Sequence, residues 1–435
     1  MKNKELIEHI RLRPGMYLGR LGDGSTSNDG IYRMFQEILN YCIDEFRQGY
    51  GNRIEVNIEN ERTVSIRDYG RGLSWNERTW ESNHFLKTTG VTSDAYLIVE
   101  VIKALSSHFE ISCYKAGVVN RLLYEYGILV EEVREDTECE HGTSVIFTPD
   151  EVIFGAYRFV DDIVFAMLRN VTYQNIGLKI VLDGTMMTST DGMVDLLTDK
   201  RFKRNALYPI IHFMDDSIDA AFTHMPCSIE NYYSFVNGVD TNLGGTHLRA
   251  FKEAVASVLL EIYPTEGFIS EDIYPGMTGA ISINIPNPMF ESVNRGKLAS
   301  MYVTEDNSCS MKEYLHKFLS KRLKEYLSEH SDVCDIILER VTKSKGQRLF
   351  ARKCLSMSVA QLVNLWNNGI KRGDLDADGL HAIRDTFLAK KVQTIEMQRA
   401  DAIGKRLQIT YDEKNNVIHC AGRHFFDSSQ ELFQL

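Results

Sequence analysis

Between Gly30 and Gly72 the hydrophobic pattern changes period, and the change fixes two layers of structure. In GIYRMFQEILNYCIDEFRQG (30–49), Ile31, Phe35, Ile38, Leu39, Cys42, Ile43 and Phe46 recur at helical spacing with a glycine at either end. That predicts an amphipathic helix packed by one face on another layer. Arg53–Ile58 and Thr63–Arg67 then alternate at period two around the polar Glu59–Arg62, which predicts a β-hairpin. Leu97–Leu105 reads as a helix, and Phe109–Tyr114, Arg121–Tyr126 and Thr143–Thr148 read as strands. Residues 1–150 are therefore expected to form an α+β layer.

The chain has 435 residues, which favours two or three domains. A strand at Lys179–Leu182 ends in Asp183-Gly184, and the polar MMTSTDG (186–192) reads as a hairpin turn or a boundary. A second α/β unit follows from about 205 to 350, with strands near Tyr208–Phe213, Tyr232–Val236 and Ala280–Ile285 and helices at Leu248–Leu260 and Met311–Tyr326. Arg340, Lys343, Lys345, Arg348, Arg352 and Lys353 crowd one stretch without an acidic residue between them. Two readings fit that stretch, a solvated helix face and a contact with nucleic-acid phosphates.

A net charge of -11 excludes a protein that coats nucleic acid over its whole surface, and leaves room for a local basic patch. Eight scattered cysteines without a C-x-x-C pair point to buried thiols in a reducing compartment. The N-terminal MKNKELIEHIRLRPG has no apolar core of signal-peptide length, and no run reaches the about 18 apolar residues of a membrane span. The expectation is a soluble, cytoplasmic protein without a membrane partner.

Three short stretches carry the chemistry. Glu37 lies on the flank of the first helix's apolar face. IRDYGRG (66–72) ends a strand with Asp68 ahead of Gly70 and Gly72, where backbone approaches a flat ligand closely. HGTSVIF (141–147) opens a strand with the Thr143 hydroxyl. In this order they resemble the nucleotide-binding domain shared by DNA gyrase B subunits, a family of heat-shock chaperones, histidine kinases and MutL, the GHKL or Bergerat-type fold. RLRPGMYLG (11–19), YSFVNGVDTNLGGTHLRAFKEAV (233–255) and INIPNPMFESVNRGKL (283–298) narrow the resemblance to the B (ATPase) subunit of bacterial type IIA topoisomerases. LGDGS (21–25) and NDGIY (28–32) look most like the gyrase and topoisomerase IV B-type proteins of Bacteroidetes and related phyla. The resemblance is colinear over roughly residues 5–350.

It implies a GHKL ATPase-like sandwich over 1–200, a transducer of ribosomal-S5-like α/β fold over 201–350, and a small helical C-terminal module over 351–435. It implies ATP and Mg²⁺ as cofactors. Glu37 matches the general base that polarises the attacking water, Asp68 the acceptor of the adenine amino group, and Thr143 the hydroxyl that supports adenine. Arg295 stands where the family's transducer loop carries its phosphate-reaching lysine, within Val293-Asn294-Arg295, and that loop's glutamine is gone.

Two departures bear on the phosphate end. The family's Mg²⁺-facing asparagine is replaced by Tyr41, and Asn40 is offset by about 100° around the helix, so it does not simply substitute. The glycine-rich phosphate loop is replaced by Ser93–Ile98 without a glycine, and Asp94 would cap that helix start and repel a triphosphate. The connection from Gly72 to Ala104 is also shorter than the family's. Residues 93–98 are expected to form a closed, capped helix start with no room for a triphosphate.

Beyond residue 350, the family's toprim Glu-Gly-Asp-Ser-Ala stretch is absent. GDLDADGLHAIRD (373–385) holds Asp374, Asp376 and Asp378, spaced either for Mg²⁺ or, with Asp385, Ca²⁺, or simply for a polar turn between helices. Ala382–Val392 and Ile395–Leu407 read as helices, and Leu407–Tyr411 with Val417–Cys420 as a hairpin around DEKNN. That order fits a winged helix, with Arg399, Lys405 and Arg406 near its recognition helix, or a capping or dimerisation module. Three functions follow: a divergent dimeric clamp on DNA with weak or lost ATP hydrolysis that does not cleave DNA alone and engages an A-type subunit; an active ATP-driven gate using Asn40 and Arg295; or a DNA-binding regulator acting through residues 340–435.

Overall fold

The computed structural model describes residues 2–72, 93–199, 205–292 and 295–358, and short pieces between 361 and 426; for 93–98 and for the last three strands it describes the backbone alone. Two compact units divide the chain, residues 1–255 with 276–322, and residues 256–275 with 323–435.

The first unit holds two sheets. The larger has eight strands, β1 (Arg53–Glu59), β2 (Thr63–Asp68), β3 (Ser106–Lys115), β4 (Val118–Glu125), β5 (Ile128–Asp136), β6 (Gly142–Pro149), β7 (Lys179–Leu182) and β8 (Thr185–Met187), in the order β5-β4-β3-β6-β2-β1-β7-β8. The predicted hairpin is present as β1–β2, antiparallel, with Ile54 opposite Asp68 and Val56 opposite Ile66. Ile54, Val56, Val64 and Ile66 are buried on one face, as alternation requires of a sheet with one covered side. They share a core with Ile31, Phe35, Ile38, Leu39, Cys42 and Ile43 of the Gly30–Arg47 helix. The apolar face read from the sequence is thus the face that covers the sheet, and it sets Tyr41 beside Thr143, next to the Asp68 end of β2.

Other parts of this sheet differ from the reading. The β7–β8 hairpin turns at Asp183 (φ 45°) and Gly184 (φ 84°), the two left-handed residues that a tight hairpin needs; Met186 and Met187 therefore belong to a strand, not to a turn. Strand β5 and the Asp161–Gln174 helix do not emerge from the sequence pattern. ILVEEVRED in β5 does not alternate because this edge strand is almost wholly exposed on both faces. Val164, Leu168 and Val171 do bury one stripe of the Asp161–Gln174 helix, at i, i+4 and i+7.

The second sheet of this unit runs β12-β11-β13-β10-β9, from β9 (Ile211–Met214), β10 (Ile218–His224), β11 (Asn231–Val236), β12 (Val239–Asp240) and β13 (Met277–Ile283). Every residue of β13 is buried, between antiparallel β10 and parallel β11. Strand β10 is hidden in the sequence because its central Ala220 and Ala221 break the bulky β-branched signature of a strand. A small shared core of Tyr173, Met193, Leu196, Leu197, Ala221, Phe235 and Ala280 joins this sheet to the segment that follows β6.

In the second unit the Ser331–Ser356 helix carries the basic stretch. Arg348 donates from Nε (2.6 Å) and Nη2 (2.8 Å) to the carboxylate of buried Asp272. Lys345 donates to the Glu266 carbonyl, and buried Arg340 donates to Ser344 Oγ. Arg340, Lys345 and Arg348 are therefore engaged by this unit's own acceptors, and Lys343, Arg352 and Lys353 have exposed side chains. The C-terminal strands β14 (Ile409–Asp412), β15 (Val417–Cys420) and β16 (Arg423–Phe426) form a three-stranded antiparallel sheet, one strand more than the hairpin read from the sequence. The two helices and the basic residues read before it fall almost entirely outside the described residues. Among the described cysteines, Cys42, Cys113 and Cys354 are buried, but Cys139 and Cys227 are exposed loop residues, so a buried-thiol reading of all eight is corrected. No described helix is long and apolar enough to cross a membrane.

Candidate functional site

The Gly30–Arg47 helix presents Arg33, Glu37, Asn40, Tyr41, Asp44 and Arg47 to an open cleft of about 1850 Å³ within the first unit. Glu37 is nearly buried. Arg33 Nη2 stands 2.6 Å and Arg295 Nη1 3.6 Å from its Oε1, as charge contacts without aligned hydrogen-bond geometry. Burial draws Arg33 below its ordinary pKa, Glu37 pulls it back up, and the charge of Arg295 pushes it down again. Arg295 takes a left-handed backbone (φ 54°), uncommon for a non-glycine residue; Val293 and Asn294 beside it lie outside the described residues. Asn40 lines the same cleft and accepts from Gln36 Nε2 at 2.9 Å. Glu37, Asn40 and Arg295 are thus brought together.

A second group forms a buried node at the end of β2. Asp68 is 2% exposed, and its Oδ1 accepts from the backbone N–H of Gly70 (2.8 Å) and of Thr143 (3.3 Å). Its Oδ2 is buried without an aligned hydrogen-bond partner; the Cys42 thiol beside it is a weak donor at best. Burial raises the Asp68 carboxyl to about 6, against the two backbone hydrogen bonds that lower it. Burial also raises Cys42 and Tyr41 well above their ordinary ranges, the charge of Asp68 adding to both. Tyr41 Oη reaches Thr143 Oγ1 at 3.4 Å.

The two glycines of the Asp68 loop are required by the chain itself. A Cβ on Gly70 would lie 2.8 Å from Glu45 Oε2, and one on Gly72 (φ +68°) would lie 2.7 Å from the Tyr114 carbonyl. What fills the first of those spaces is a clamp that no sequence motif marks. Arg71 donates to buried Glu45 from its backbone N–H, Nε (3.1 Å) and Nη2 (2.7 Å), and packs over the Tyr50 ring at 4.0 Å. Burial works against the Glu45 charge, yet the Arg71 hydrogen bonds hold its carboxyl below the ordinary value. No spacing rule announces a pair 26 residues apart. The Arg33–Glu37 pair, by contrast, stands at i,i+4 and is readable from helical spacing.

The residues present fit one end of an adenine nucleotide. A buried acceptor with no aligned hydrogen bond suits a ligand N–H, and Asp68 Oδ2 offers one. Toward the metal end, position 41 places a phenol in the node, and among the described residues no three His, Cys, Asp or Glu side chains gather closely enough to hold an ion by themselves. A helix spans Ser93–Ala104; the residues before it, the side chains of 93–98 and with them the helix start and the capping expected of Asp94 lie outside the described residues. So do Asp374, Asp376 and Asp378.

The profile of the family described as DNA gyrase B matches residues 191–355. The chain is 34% identical to the B subunit of DNA topoisomerase 4 from Borreliella burgdorferi over 324 residues, 72% of this chain and 54% of that one. It is 28% identical to the DNA gyrase B subunit of Thermotoga maritima over 393 residues, 81% of this chain and 60% of that one. It therefore spans between half and two thirds of the length of these relatives. In fold it is similar to the 43K ATPase domain of Thermus thermophilus gyrase B, crystallised with an aminocoumarin, at a TM-score of 0.64 and 25% identity, over 80% of this chain and 96% of that domain. The topoisomerase IV ATP-binding domain of Francisella tularensis gives a TM-score of 0.62 at 19% identity, a likeness of fold.

Proposed function

The chain belongs to the B-subunit family of DNA gyrase and topoisomerase IV, and from that premise we propose that it works as a clamp on DNA in which nucleotide turnover is weak or lost. The observation that carries this reading is Tyr41. One helical turn beyond Glu37 the side chain is a buried phenol turned toward Thr143, whereas Mg²⁺ demands several hard oxygen ligands in near-octahedral array. Asp68 and Thr143 remain as a base-receiving pair, and Glu37 remains in the position of a general base with its Oε1 beside Arg33. The partners we propose are DNA, a second copy of the chain and an A-type subunit, in the cytoplasm. We also retain the division into an ATPase-like domain (1–200), a transducer (201–350) and a C-terminal module (351–435).

One observation favours the rival reading of an active ATP-driven gate: Arg295, in the segment we assign to a transducer, stands beside Glu37, which we assign as the base. Titration of a non-hydrolysable ATP analogue into wild type and Asp68→Ala, with and without Mg²⁺, separates the two. Weak binding indifferent to Mg²⁺ is expected. Micromolar, Mg²⁺-dependent binding that Asp68→Ala abolishes would establish the gate instead.

A further inference from the structure

Resting on the reading of Asp68 and Thr143 as the base-receiving pair, we propose that Tyr41 is the resident occupant of that pocket, a specificity-determining side chain that holds adenine out until its ring swings clear. Tyr41 belongs to the wall of the cleft, yet only 8% of its surface is exposed, so the ring is turned inward from the wall. Its hydroxyl meets Thr143 Oγ1, and the Thr143 N–H donates in turn to Asp68 Oδ1. Phenol, threonine and carboxylate form one buried node, and a planar base that set its amino group on Asp68 would need the volume beside Thr143 that the ring fills.

The occupant is an imperfect substitute. A phenol has a single hydrogen to donate, and Asp68 Oδ2 has no aligned hydrogen-bond partner while the ring is in place. At 3.4 Å the contact with Thr143 is long for an O–H···O hydrogen bond. A ligand bringing an N–H to Oδ2 supplies what the phenol does not, and that added hydrogen bond is what would favour displacement of the ring. The cationic end of the cleft is likewise met from within the chain, by Arg295 beside Glu37.

Calorimetric titration of adenosine, which has no phosphate and needs no metal, into the full chain tests this. A ring that clears the pocket a tenth of the time or less weakens apparent affinity about tenfold or more, so Tyr41→Ala is expected to bind adenosine at least about tenfold more tightly than wild type. Tyr41→Phe, which keeps the ring, is expected to stay at the wild-type level, and Asp68→Ala in the Tyr41→Ala background is expected to erase the gain. Equal, Asp68-dependent binding by wild type and Tyr41→Ala overturns the occupant and leaves the base pocket standing. Adenosine binding by neither protein overturns both. Circular dichroism checks that Tyr41→Ala folds; if it does not, Tyr41→Leu keeps apolar bulk on the helix, falls short of Thr143 and carries the same expectations.

Discussion

Asp68 faces opposing demands, and they give it a signature in the free protein. A carboxylate ready for a ligand N–H must be buried, and burial raises it to about 6 from an ordinary 3.8. Well below pH 3.8 the folded and unfolded chains both carry the proton, and Asp68 contributes nothing to the balance. Between about pH 4 and 6 the unfolded chain ionises first, so the folded state loses stability as pH rises; above 6 the whole penalty stands, about 3 kcal/mol at 1.36 kcal/mol per pKa unit. Asp68→Asn keeps an oxygen for the Gly70 and Thr143 N–H groups and removes the charge. It is expected to stabilise the protein by roughly 1–3 kcal/mol at pH 7.5 and by no more than about 0.5 kcal/mol at pH 4, read from urea midpoints at the two values. An equal effect at both would mean that charge burial is not what Asp68 contributes. The same substitution is expected to weaken adenine binding, so stability and ligand affinity should move in opposite directions, as they do where a site is held ready against the preference of the fold.

At the scale of elements, sequence periodicity recovers what one element determines alone. The Gly30–Arg47 helix and the β1–β2 hairpin are legible because one buries a stripe and the other a face. What depends on placement in the sheet is not: β5 is an exposed edge, and β10 has alanines where the sheet is crowded. The same divide runs through the candidate site. Glu37, Asp68 and Thr143 can be named from motif order, but the inward turn of Tyr41 and the Arg71–Glu45 clamp depend on which side chain fills which space. The basic run on the Ser331–Ser356 helix shows the reverse error, since a charge count does not reveal acceptors elsewhere in the fold. Asp272 Oδ2 accepts from the Ile269 N–H while both its oxygens take the Arg348 guanidinium. Removing one partner from a buried ion pair typically costs about 3–5 kcal/mol, so Asp272→Ala is expected to lower the second unit's stability by that order. Arg352→Ala on the same helix is expected to change stability by no more than about 0.5 kcal/mol. Thermal melts of the two variants make the comparison, and equal losses would show that the Asp272–Arg348 contact does not organise this unit.

For the whole molecule, the question is what couples the two sheets of the first unit. Asn170 Nδ2 donates to Asp240 Oδ2, the Met193 N–H donates to Asp219 Oδ2, and Arg47 lies against Gly238. Beneath these polar ties Tyr173, Met193, Leu196 and Leu197 pack with Ala221, Phe235 and Ala280 of the smaller sheet. Polar contacts at this spacing contribute about 1 kcal/mol each and are readily exchanged for water, whereas a shared apolar core makes opening of one part expose the other. The coupling is therefore expected to be built into the fold and to need no ligand. Phe235 is 1% exposed in that core, and truncating a buried Phe to Ala costs about 3–5 kcal/mol. Hydrogen exchange of the full chain without nucleotide should then show Phe235→Ala lowering protection in β11 and β13 and, by a comparable amount, in β7 and the Asp161–Gln174 helix, because both sides of the core open together. Loss of protection confined to the smaller sheet would instead mean that the two sheets open independently, and that a bound ligand must supply any coupling between them.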